Sequence, residues 1–162
     1  MNQPSLYMQF LFGIQESALG EWVRGSSWAL FLFLVIHTMS MGLLAGTGMA
    51  FGVRVLGWAQ PTSTQAFRPW FALMAATACI AVVSGVFLVI GYPAKALTNP
   101  VFFLKLTLVV GALLLTRRIA AMLPAPATQA RVLAGLAIAA WVLAITGGRF
   151  LAYTHHILLL SE

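Results

Sequence analysis

Four long apolar runs, each closed by proline, arginine or a short polar segment, set the pattern of this chain. A hydrocarbon core of ~30 Å takes about 20 helical residues at ~1.5 Å each. Spans are therefore expected over about residues 28–54, 69–92, 100–117 and 131–156. The polar connector AQPTSTQ follows the first, Tyr92-Pro93 stops the second, Arg117-Arg118 closes the third, and PAPATQ precedes the fourth. Upstream of the first span, Leu6, Tyr7, Phe10, Leu11 and Ile14 recur at helical spacing with Gln9, Gln15, Glu16 and Glu21 elsewhere. That pattern suits a helix lying in the membrane interface, with a loosely ordered amphipathic tail as the competing expectation. The expected fold is all-α: an integral membrane four-helix up-down bundle (26–162) preceded by an N-terminal interfacial amphipathic helix (1–25). No internal repeat and no separate soluble domain is expected.

Composition supports the membrane reading. Of 162 residues 61% are hydrophobic and 7% charged, with a mean hydropathy of +0.95, far from the ~25% charged residues of soluble domains. The formal charge of +6 comes from nine Lys and Arg that stand singly or in one pair between apolar runs. They read as topology signals and not as a nucleic-acid surface. The one cysteine, Cys79, leaves no intrachain disulfide or thiolate cluster, and no basic leader opens the chain, so no cleavable signal is expected. With the start of the first span called side A, side B collects Arg54, Arg68, Arg117, Arg118 and Arg131. The side A loops hold Arg24 and Lys95. The excess of positive charge predicts a cytoplasmic side B and periplasmic termini.

Polar residues inside the spans carry the candidate chemistry. His37 lies about 13 Å below Trp28 and Lys105 about 8 Å below Pro100, by helical rise. The alternation of spans brings both to side A, together with Arg149, Tyr153 and His156, which are spaced i, i+4 and i+7 on the fourth span. An intramembrane ionisable group faces protein or a cavity, and Gly48 and Gly52, on nearly the same stripe as His37, mark a close helix approach. All three acids, Glu16, Glu21 and Glu162, lie near the chain ends. Buried cations without internal carboxylates point to an anionic ligand.

Haem b meets those demands: His37 supplies an axial nitrogen, and its propionates pair with Arg149, assisted by Tyr153 or Lys105. The second axial position is open between His156, deprotonated Lys105 and no ligand. Copper is the alternative cofactor, through His37 with Met39, Met41 and Met49, because thioethers suit Cu(I). Against both stands a cofactor-free structural subunit. In that case His37 bonds a carbonyl of a neighbouring helix and Lys105 snorkels to the headgroups.

The motifs H-x4-G-x3-G at His37 to Gly46, R-x-L-G at Arg54 to Gly57, N-P-x-F-x2-K at Asn99 to Lys105 and G-R-F-x-A-Y at Gly148 to Tyr153 resemble a group of small, largely uncharacterised bacterial four-helix membrane proteins. Members of that group commonly carry an acid just before the arginine, where this chain has Gly52 and Val53. More distantly, His37 and Lys105 resemble the axial histidine and the lysine of haem-dependent membrane protoporphyrinogen oxidases, and the chain also resembles the copper-resistance protein D family. These resemblances imply a four-helix haem or metal scaffold in the bacterial inner membrane. The expected function is a haem b-binding electron-transfer subunit or anchor, serving a periplasmic carrier or other subunits of a membrane redox complex. The alternatives are porphyrinogen oxidation, copper transport and a structural role.

Overall fold

The computed structural model describes the backbone of residues 5–58, 64–122 and 128–158, and their side chains except those of 64, 65, 68 and 152–158. Every regular element among these residues is helical: α1 (Leu6–Gln15), α2 (Ala18–Gly25), α3 (Ala29–Leu56), a 3-10 turn (Thr64–Phe67), α4 (Arg68–Gly91), α5 (Pro93–Leu97), α6 (Pro100–Ala121) and α7 (Thr128–Leu158). Four of them, α3, α4, α6 and α7, are long and apolar enough to cross a bilayer. Their outward surfaces are apolar, with Phe31 68%, Val82 65% and Leu114 62% exposed. The chain is a multi-pass, all-α membrane protein.

Local chemistry explains the breaks. Gly57, at φ +86, ends α3 in the left-handed conformation that glycine adopts at least cost. Asn99 caps α6 by accepting from Val101 N at 2.9 Å, with Pro100 in the first turn. α6 runs on to Ala121, past Arg117-Arg118, because nothing before Pro124 forbids helix. The short segment expected between the second and third spans contains the one-turn helix α5.

The N-terminal segment folds as two helices that turn back over the side A end. Ser17 caps α2, and the corner needs Gly20, where a Cβ would lie 2.5 Å from Gln15 O. Arg24 Nη2 donates to that same Gln15 carbonyl at 2.7 Å. Tyr7 Oη donates to Leu97 O at 3.2 Å, tying α1 to α5, and Val23 fills the space left by Gly91 on α4.

The spans pack as two antiparallel hairpins, α3 with α4 and α6 with α7, joined through an α3–α7 seam, while the α4 and α6 backbones hardly approach one another. Three layers follow down the bundle. At side B, Phe51, Val55, Phe67, Ile119, Ala130, Ala134 and Ala137 form one apolar cluster. Midway, Leu44, Ala45, Met74 and Ala112 surround Trp141, which is 0% exposed. Towards side A the interior turns polar, and the candidate site lies there.

Candidate functional site

α3 carries His37 eight residues in from Ala29 and turns it towards α4. Its Nδ1 lies 2.9 Å from the Ala81 carbonyl oxygen and 3.3 Å from Ser84 Oγ. A carbonyl oxygen only accepts, so Nδ1 carries the hydrogen. Ser84, 2% exposed, donates its own hydroxyl back to Ile80 O at 2.7 Å, which leaves its oxygen free to share the imidazole N–H. The close approach depends on Gly85: a Cβ there would stand 3.1 Å from His37 Cε1 and 3.3 Å from Nδ1.

The other ring nitrogen faces across the bundle. Lys105 Nζ of α6 lies 3.4 Å from His37 Nε2. With Nδ1 protonated, Nε2 of a neutral ring presents its lone pair, and the lysine nitrogen donates to it. Lys105 reaches this position over Gly148 of α7, where a Cβ would be 3.6 Å from Lys105 Cε. The site thus draws on all four spans: α3 and α6 supply the pair, His37 and Lys105, and α4 and α7 supply the backbone and glycine around it, Ala81, Gly85 and Gly148. Both side chains are half-buried, and no carboxylate of the chain lies anywhere between Glu21 and Glu162.

His37 therefore does bond a neighbouring helix's carbonyl, but with one nitrogen only. Lys105 does not snorkel away; it turns inward to the imidazole. Arg149 is exposed, one residue beyond Gly148. Tyr153 and His156 lie on the helical backbone of α7, and their side chains fall outside the described residues. Of the methionines considered for copper, Met39 is exposed at 64%, whereas Met41 and Met49 pack against the Trp141 layer. Among the described residues no group of three or more His, Cys, Asp or Glu gathers to hold a metal ion.

The donor set can be tested against a haem. A ligating histidine ordinarily donates its second N–H to a carbonyl or carboxylate, which fixes the tautomer and raises ligand basicity. His37 has the N–H half of that arrangement, and its Nε2 faces the Lys105 amine. An imidazole and an amine are donor types that iron porphyrins accept. In the structure the lysine occupies the direction in which Nε2 points, so Lys105 must yield that direction or share it. An apolar groove of about 280 Å³, lined by Phe33, Ile36, Cys79, Ile80, Val83 and Ser84, flanks the same α3–α4 pair.

Sequence reasoning missed Ala81, Ser84 and Gly85. Ala81 contributes through its backbone, which no side-chain pattern announces. The Ser84-Gly85 pair inside an otherwise apolar run was the available signal, since small residues mark close approach in membranes. No protein-family model, curated protein or solved structure matches this chain.

Proposed function

We propose that this chain is a membrane-embedded haem b-binding subunit that passes electrons between the membrane and a periplasmic carrier or larger redox complex. His37 Nε2 would hold its iron. The observation supporting this reading is the anchored imidazole: Nδ1 donates to Ala81 O at 2.9 Å, which leaves Nε2 as a lone-pair donor inside the bundle. Bound haem b would supply the one-electron redox chemistry. The residues of the chain hold and tune it. Ala81 and Ser84 keep the imidazole oriented. Lys105 would offer the iron a second nitrogen if it gave up its proton, or would pair with a propionate as an ammonium. Exposed Arg149 would be a further cation for a propionate, with Tyr153 as a further donor and His156 as the alternative source of a second nitrogen.

The reduced-minus-oxidised absorption spectrum of purified protein, with a pyridine haemochrome count, tests this reading. A sharp b-type α-band in the wild type that disappears in His37→Ala is the expected result. Colourless protein made under ample haem supply would sink it.

The 3.4 Å contact between Lys105 and His37 supports a second reading, in which two polar side chains satisfy each other in a cofactor-free structural subunit. That reading expects colourless protein, and His37→Ala lowering thermal stability with no spectral change.

A further inference from the structure

Around the His37–Lys105 contact the bundle is packed differently from the layers below it. Ala112, Thr116 and Ile119 of α6 and Ala134, Ala137, Trp141 and Ala144 of α7 are buried. None of residues 100–111 of α6 or 145–151 of α7 is. The α4 and α6 backbones hardly approach one another, so a gap is left between them at this level. Other elements close it. α5 passes directly from the end of α4 to the start of α6, and the Tyr7–Leu97 hydrogen bond ties α1 onto it as a roof. Beneath, Leu44, Met74 and Ala112 pack around Trp141. His37 of α3 and Gly148 of α7 stand behind. The way in is sideways, between α4 and α6, from the lipid.

The gap holds a donor that the chain does not use up. Among the described residues Lys105 Nζ has one partner, His37 Nε2 at 3.4 Å. A lysine nitrogen carries more than one hydrogen, so N–H is left for an acceptor from outside. A donor without a partner is costly in an apolar interior. The molecule that satisfies this one must dissolve in the bilayer, fit between two helices and present an accepting oxygen. A quinone does all three, because its ring is flat and apolar and its carbonyl oxygens stand at the ring edge. Apolar walls with a single well-placed polar group are the ordinary make-up of small-molecule sites.

We infer that Lys105 Nζ donates a hydrogen bond to a carbonyl oxygen of a lipid-soluble quinone lodged between α4 and α6 in the side A half of the bundle. As the membrane-side electron partner the quinone rests on the haem reading; its binding does not.

Equilibrium dialysis of the full chain as purified, corrected against matched empty micelles, tests it with two probes of one shape: duroquinone, and durene, the same tetramethylated ring without oxygens. The wild type should prefer duroquinone roughly tenfold, the effect of one hydrogen bond to a buried donor. Lys105→Met keeps an apolar stem without the donor and should lose that preference, whereas Lys105→Arg should keep most of it. Helical circular dichroism reports the fold of each variant. Should Lys105→Met fail to fold, the two probes on the wild type and on Lys105→Arg decide. Equal binding of the probes by the wild type, or an unchanged preference in folded Lys105→Met, would overturn the proposal. So would displacement of duroquinone by an equimolar amount of phosphatidylcholine, since the gap would then be a seat for ordinary lipid. A haem count on the same samples separates the two readings. A missing b-type band leaves a duroquinone preference standing, and a b-type band without that preference removes the quinone alone.

Discussion

At the scale of single residues, the imidazole of His37 is positioned by an absence. Gly85 leaves bare backbone under the ring, and the 3.1 Å separation between its missing Cβ and His37 Cε1 is too short for a methyl group unless the ring moves. The ring cannot move freely, because the Ala81 carbonyl holds Nδ1 at 2.9 Å. Gly85→Ala should therefore break or lengthen that hydrogen bond and destabilise the protein by about 1–3 kcal/mol, the usual range for overpacking. The readouts are thermal unfolding in detergent and the Nδ1 proton resonance of His37, which should shift towards solvent-exchanging values. An unchanged resonance would show that the ring has slack which the contacts do not suggest. His37 and Lys105 were legible in the sequence because an ionisable side chain in an apolar run stands out by itself. The layer in which they meet was legible from span alternation. Their direct contact was not, since it depends on how far Gly148 lets the lysine bend across α7.

At the scale of the helix, the α3–α7 seam depends on fit between glycine and large side chains. Trp141 presses its indole nitrogen and Cε2 against Gly48, and Ile138 fills the space over Gly52, where a Cβ would lie 2.9 Å from Cγ1. Among the described residues the buried Trp141 Nε1 has no hydrogen-bond partner. Leaving such a donor unpaired costs about 1–3 kcal/mol, which the burial of the whole indole must offset. Gly48→Ala should lower stability by about 1–3 kcal/mol, and adding Trp141→Leu should restore part of the loss. Unfolding of the single and double variants, followed by helical circular dichroism, checks it; simple additivity would mean that the two positions do not meet. The helix boundaries were largely readable, since proline, glycine and arginine punctuate them. Trp141 was harder. Tryptophan in a membrane span suggests the interface, as Trp22, Trp28, Trp58 and Trp70 do near span ends, and only the glycine on the facing helix explains one at the centre.

At the scale of the whole molecule, the arrangement is two hairpins docked along one seam, with a helical cap at side A and arginines at side B. If the side B connectors face the cytoplasm, Thr62→Cys in a Cys79→Ser background should react with an impermeant maleimide only after the inner membrane is opened. Labelling in intact spheroplasts would reverse the orientation. The four-span count was legible from hydropathy. Their pairing was not, because short connectors permit more than one neighbour order and only side-chain fit selects among them. The hairpin arrangement also bears on the order of events during synthesis. The first hairpin leaves the ribosome with the His37 N–H already provided for, since Ala81 belongs to that same hairpin. Lys105 enters the bilayer with α6, 68 residues after its imidazole partner, and bends inward over a glycine that is translated later still. Each half can thus insert without leaving the imidazole N–H stranded in lipid. The complete His37–Lys105 pair comes into being only when the halves dock, so any group that needs both side chains must be fitted after translation has passed Gly148.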